Sequence, residues 1–300
     1  MEKLFYFHLY ANGDDARNFI ICEADYYYEF NLIAVCAYKS GVVVLAFSLE
    51  DTHPHFLLFG TCGQVDEFKR LFTSSTLHHI RMTRGTGDGV ILELQSDIID
   101  NRDYLMNVGT YVIIQSTKDG KSVMPYDYKW CTGSMYFRSE DHIPIWCTGR
   151  DMTIMKPVPI LSLSATRSRS LIRSIEDLPG NWLTCNGFIL PHNYIDVKRY
   201  EAIYQTHNCF RTFMSGGRTK NQEVMDRMAA SRGVMIEDME SRKICGEVCH
   251  EMFGKQTSRW LSVTQRLELA KALRVRYRLS KRQISTLCRL PESEIDKYIR

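Results

Sequence analysis

The stretch from Val42 to Phe59 constrains the fold more than any other part of the chain. Two apolar runs, Val42–Leu49 and Phe56–Phe59, flank the polar segment Glu50-Asp51-Thr52-His53-Pro54-His55. Their composition and length predict strands at about 42–50 and 54–60. In an extended segment side chains two positions apart share a face, so the imidazoles of His53 and His55 converge. Downstream, the stretch from Asp100 to Gln115 reads as a helix with Asp100 as its N-cap, and Tyr111 and Gln115 are i,i+4 neighbours on it.

Two imidazoles and an amide oxygen can hold a divalent cation and leave positions open for phosphate and water. A tyrosine one helical turn away is then placed to attack the phosphate. Each piece also has an ordinary structural explanation. Tyr104, Val108 and Tyr111 share one helical face and fit a core. Tyr104 is the nearest competing hydroxyl, but Val108 stands where its i+4 amide would be.

The ordered set resembles the HUH endonucleases with one tyrosine: the transposases of simple insertion sequences and, more closely, the REP-associated tyrosine transposases of bacteria. Phe5-Tyr6-Phe7-His8-Leu9-Tyr10 resembles the family's first strand, and Glu23–Lys39 its first helix. The segment from Met124 to Tyr136 is similar to its Pro-x-x-Tyr-x-Trp-Ser-Ser-x-x-Tyr motif. The resemblance covers about residues 1–140. Thr52 and Pro54 depart from the family's Asn and small apolar residue, and Gln115 replaces an Asn while keeping the amide oxygen.

The resemblance implies a metal-dependent enzyme that nicks and rejoins single-stranded DNA, acting on hairpin-containing repeats. Tyr111 would be the nucleophile of a 5′-phosphotyrosine intermediate, and His53, His55 and Gln115 would hold Mg²⁺ or Mn²⁺. A different reading is a domesticated, non-catalytic regulator that binds DNA through its C-terminal segment. An RNA-recognition module is disfavoured, because no strand carries the aromatic Gly-x-Gly-Phe pattern.

Strand–helix–strand–strand–helix–strand is the order of an α+β, ferredoxin-like split βαβ sheet. It predicts a catalytic domain over 1–150 with the histidines central and the helices on one face. A helix is expected over Gln64–Arg81 and a short strand over Val90–Leu94. The polar, basic stretch Ser162–Arg173 marks a linker over 151–178, and 179–300 reads as an all-α domain. Its best helical segments are Glu223–Ala230, Ile236–Phe253 and Val263–Tyr277.

A helix-turn-helix is expected at about 262–300. Thr264–Tyr277 is amphipathic, Ser280-Lys281-Arg282-Gln283 is a capping box, and Pro291 suits the first turn of a third helix. From Lys255 to Arg300 there are twelve Lys/Arg against four acids, a balance of +8 that leaves −5 for the rest of a chain of net charge +3. Such asymmetry points to a tail facing nucleic acid, with Lys281, Arg282 and Arg289 as its contacts.

Ten cysteines form no framework, and several lie in apolar runs, as reduced thiols of a cytoplasmic, nucleoid-associated protein would. Cys245 and Cys249 read as helical positions without a second ligand pair for zinc. No apolar run approaches membrane-spanning length, so no membrane partner is expected. A homodimer is compatible with this reading.

Overall fold

Four strands, β1 (Phe5–Ala11), β2 (Val43–Leu49), β3 (Pro54–Gly60) and β4 (Leu94–Ile99), make one antiparallel sheet in the order β2-β3-β1-β4. The computed structural model that shows them describes residues 2–11, 18–85, 90–118, 122, 124–139, 141–149, 151–172, 178–215, 224–225, 228, 238–277, 279, 281–291, 294–295 and 297. The class is α+β. Pro54 opens β3, where the missing N–H costs the ladder least. β2 carries an irregularity between Val44 and Ala46, and Tyr136 donates its hydroxyl to the carbonyl of Leu45 there.

Helix α1 (Glu23–Ser40) stops at Gly41, whose φ of 67° is the left-handed conformation that glycine adopts without strain. Helix α2 (Cys62–Arg84) starts at a capping box in which Thr61 and Gln64 satisfy each other's backbone donors. Both lie on the face formed by Phe47, Phe56 and their neighbours. Phe30 of α1 meets Phe47 at 5.3 Å between ring centroids. Phe68 and Phe72 of α2 meet Phe56 at 5.4 and 5.3 Å.

Helix α3 (Arg102–Ile113) packs against β2, β3 and β4, and its Tyr111 faces the side chains that alternate with Phe56. The expectation of all helices on one face is therefore corrected. Strand alternation turns His8 and His55 away from Phe56, and that second face needs its own cover. The strand expected over Val90–Leu94 lies instead at Leu94–Ile99, paired with Tyr6–Ala11. As an edge strand carrying Gln95, Ser96 and Asp97, it gives a weak apolar signal. The tyrosine helix also ends earlier than its apolar pattern suggested. Ile114 is its C-cap, and Gln115 begins a separate short turn, α4 (Gln115–Lys118).

The chain divides into two units, Met1–Met225 and Asp226–Arg300, so the boundary falls well beyond the expected linker. Residues of that linker carry structure: β5 (Val158–Pro159) pairs with β6 (Leu183–Cys185), which pairs with β7 (Phe188–Ile189), and α5 spans Ala165–Leu171. The buried Asn31 of α1 ties them down, donating to the carbonyls of Leu171 and Gly187 and accepting from the N–H of Ile189. A single polar side chain thus does what no apolar pattern in 151–178 announces. The region 179–300 is not all-α, since it includes β6 and β7.

Helices α6 (Val197–Tyr204) and α7 (His207–Ser215) pack on α3 in the first unit. Tyr200 and Tyr204 donate to the carbonyls of Gly109 and Met106, at 3.1 and 2.7 Å. A Cβ at Gly109 would collide with the Tyr204 hydroxyl, which explains a glycine in mid-helix.

The second unit is helical: α8 (Asp238–Phe253), α9 (Val263–Tyr277) and α10 (Lys281–Cys288). Val248, Cys249, Leu269, Leu273, Ile284 and Cys288 share its core. Cys245 and Cys249 sit in that core as helical residues. Of the expected helix Glu223–Ala230, Val224, Met225 and Met228 are helical and the rest lie outside the described residues. Ser280 of the capping box lies outside them too, as does most of the third helix, of which Glu294, Ile295 and Lys297 are helical. Among the described residues no helix is long and apolar enough to cross a membrane.

Candidate active site

The register of the first sheet builds a polar row across all four strands. Ser48 of β2 stands opposite His55 of β3, His55 opposite Tyr10 of β1, and Tyr10 opposite Gln95 of β4. One step along β1 on the same face, His8 stands between Leu57 and Asp97. Burying so many polar groups costs free energy unless they pair, and most of them do. His8 Nε2 and His55 Nδ1 are 3.2 Å apart, with their rings stacked at 5.4 Å. Tyr10 donates to Asp97 at 3.0 Å, and Ser48 donates to Glu50 at 2.8 Å.

Both imidazoles of the β1–β3 pair are fully buried. Burial pushes the pKa of His8 down to about 3, so this ring is neutral throughout the physiological range. Its Nδ1 has no hydrogen-bond partner among the described residues.

Three of the sequence-predicted residues, His53, His55 and Tyr111, meet in a chain of ring contacts. His53 lies in the turn just before β3, half-buried, its ring edge-on to His55 at 4.8 Å. The Thr52 hydroxyl lies 2.7 Å from His53 Nδ1. Tyr111, 5% exposed, presents its ring edge-on to His55 at 5.5 Å and to His8 at 5.9 Å. Gln115 is buried and donates Nε2 to the backbone carbonyl of Tyr111 at 2.9 Å, one turn back along the chain. Tyr104 is buried two turns earlier on α3.

The donor set fits a divalent cation in chemistry. Nδ1 is engaged in both His53 and His55, by Thr52 and His8, so Nε2 is the nitrogen that would ligate. With its Nε2 held by the backbone, Gln115 has Oε1 to offer. Among the described residues, no three His, Cys, Asp or Glu side chains form a group able to hold a metal ion. Such a site therefore depends on the glutamine oxygen.

His8, Tyr10 and Asp97 escaped the reading of the sequence. Their signal was present: Tyr6, His8 and Tyr10 recur at period two in a strand whose other residues, Phe7, Leu9 and Ala11, are apolar. The tyrosine cluster Tyr26-Tyr27-Tyr28 is packed inward, with Tyr26 stacked on Trp130 at 4.8 Å and Tyr28 on His79 at 3.8 Å. Of the expected DNA contacts, Lys281 and Arg282 open α10, and their side chains lie outside the described residues. Arg289 follows α10, exposed, with φ of 54°.

No family model and no curated protein matches the chain. Among solved structures it is similar to a REP-associated tyrosine transposase bound to a REP hairpin. Identity is 16%, covering 44% of this chain and 76% of that one, with a TM-score of 0.31. A TM-score of that size does not define a common fold.

Proposed function

We propose that the first unit is a single-tyrosine DNA nuclease and strand transferase of the HUH type. The observation that carries this is the Tyr111 ring set edge-on against two imidazoles of a polar row. The strand order β2-β3-β1-β4 supports reading the sheet as a ferredoxin-like split βαβ. Mg²⁺ or Mn²⁺ held by His53, His55 and Gln115 would supply positive charge to the non-bridging oxygens of the scissile phosphate.

The chain's own residues do the rest. Thr52 and His8 fix the orientation of the two imidazoles through Nδ1. Gln115, tethered through Nε2 to the backbone carbonyl of Tyr111, would offer Oε1 to the metal. Attack by Tyr111 forms an Oη–P bond as the P–O3′ bond breaks; the phenolic proton is lost and the 3′-oxygen leaves as a hydroxyl. The 5′-phosphotyrosine conserves the bond, so another 3′-hydroxyl can rejoin strands by the reverse attack. The substrate is single-stranded or hairpin DNA. In the second unit, α9, α10 and the segment opened by Pro291 would form the helix-turn-helix that holds duplex, with Lys281, Arg282 and Arg289 as its contacts.

A second reading is favoured by the burial of Tyr111, 5% exposed: a DNA-binding regulator that no longer cleaves. One experiment separates the two. The full chain is incubated with Mn²⁺ and single-stranded DNA, and covalent protein–DNA adduct is sought. The nuclease reading expects adduct that vanishes in Tyr111→Phe and with EDTA, while DNA binding persists. Binding without adduct under every condition leaves the regulator. Adduct that survives in Tyr111→Phe and is lost in Tyr104→Phe moves the nucleophile to Tyr104.

A further inference from the structure

A cavity of about 750 Å³ opens at the other end of α3 from Tyr111, where Ile99, at the end of β4, and the starts of α3 and α6 meet Tyr6 of β1. Three cations, Arg102, Lys198 and Arg199, outnumber two carboxylates, Asp100 and Asp196, and Tyr6 adds an aromatic ring. Its apolar wall includes Ile99, Leu105 and Ala202.

The cations are held in different ways. The Arg199 guanidinium lies 4.3 Å from the centre of the Phe59 ring and donates to Asp196 at 3.1 Å. It is fixed before any ligand arrives, so little side-chain freedom is lost on binding. Arg102 donates to the Ile203 carbonyl at 3.3 Å. Lys198 is exposed and has no hydrogen-bond or ion-pair partner among the described residues. Its charge is available to a ligand.

A tyrosine wall and an exposed ammonium beside two anchored guanidinium groups suit a ligand with both a ring and a phosphate, while Asn101 and Asp196 are taken up as helix N-caps. The geometry points to a nucleotide-binding subsite in this cavity, occupied by one nucleotide of the same single strand that meets Tyr111. This rests on the reading of Tyr111 as the cleavage site.

The spacing argues for a strand rather than a free nucleotide. Tyr6, His8 and Tyr10 share a face of β1, so the cavity lies on the side of the sheet that carries the histidines. From Tyr6 to Tyr10 is about 13 Å at the rise of a strand. From Arg102 to Tyr111 is also about 13 Å at the rise of a helix. Stacked nucleotides rise about 3.4 Å each, so a strand reaches from one place to the other within roughly four nucleotides.

The test uses the full chain and single-stranded DNA carrying 5-iodouracil at successive positions, photocrosslinked and mapped by mass spectrometry. The proposal expects a crosslink at Tyr6 that is lost in Lys198→Glu. It also expects affinity in that variant to fall severalfold and the salt slope to flatten by about 0.7, with an unchanged urea midpoint. Crosslinks elsewhere, with affinity and slope unchanged in Lys198→Glu, overturn it. Crosslinking of 5-iodo-dUMP at Tyr6 as efficient as that of the strand assigns the cavity to free nucleotides and overturns the strand claim.

Covalent adduct at Tyr111 without a Tyr6 crosslink removes the subsite and leaves the nuclease. A Tyr6 crosslink without adduct removes the nuclease and leaves a nucleotide site.

Discussion

The two faces of the four-stranded sheet are made from the same strands and follow opposite rules. Under α1 and α2, Phe47, Phe56, Phe68 and Phe72 interlock as a packed aromatic layer. Under α3 the same strands bury His8, Tyr10, Ser48 and His55. A fold seeking stability alone would fill the second face with apolar side chains, since buried polar groups return little beyond their desolvation. The contrast teaches where the molecule stores stability and where it stores chemistry.

The largest effect should come from the aromatic face. Phe56→Ala removes a fully buried ring between Phe68 and Phe72 and should destabilise the first unit by about 3–5 kcal/mol, read by urea denaturation. A loss under about 1 kcal/mol would break the comparison at its stronger end.

The aromatic side also carries buried polar groups, among them Glu29 of α1, which accepts from the Thr76 hydroxyl at 2.7 Å. Burial pushes its pKa up to about 8. The folded state therefore holds its proton more tightly than the unfolded chain, whose carboxyl titrates near 4.3. Its contribution is complete below that value and is lost as pH rises toward 8, by at most about 1.4 kcal/mol per pH unit. Glu29→Gln should flatten the pH dependence of stability between 5 and 8 and gain on the parent at pH 8. An unchanged slope would show that Glu29 is ionised in the fold.

The polar face should respond weakly. Replacing His8 and His55 together by Leu removes both partners of one hydrogen bond and leaves neither unpaired. Stability should stay within about 1–2 kcal/mol of the parent, while metal-dependent adduct formation disappears. A loss as large as that of Phe56→Ala would make the polar row a structural element.

The smallest effect lies outside both faces. Arg289 holds a left-handed φ that glycine adopts freely, so Arg289→Gly should keep or raise the stability of the second unit by up to about 1 kcal/mol. Duplex affinity should fall with a salt slope reduced by about one. Equal affinity would remove Arg289 from the DNA contacts.

Much of this was legible in the sequence where the signal is local. Helix α1 and the Val42–Leu49 strand follow their apolar patterns almost to the residue, and β3 begins at Pro54 as the turn chemistry requires. The nearness of His53 to His55 was expected from strand alternation, yet His53 lies in the turn before β3 and only His55 is on the strand. The break between Tyr111 and Gln115 was not legible, because no proline or glycine marks it. The boundary at Met225 was hidden as well, since the interaction that binds the supposed linker runs from Asn31, more than a hundred residues away.

By itself the sequence determined which side chains share a face within each strand. Only the tertiary structure decided that β1 lies between β3 and β4, bringing His8 to His55 and Asp97 to Tyr10. Alternation is a property of one chain segment, fixed by backbone geometry every two residues. Which strand stands beside which, and in what register, is set by the burial of the whole sheet between α1, α2 and α3, and no single segment contains that information.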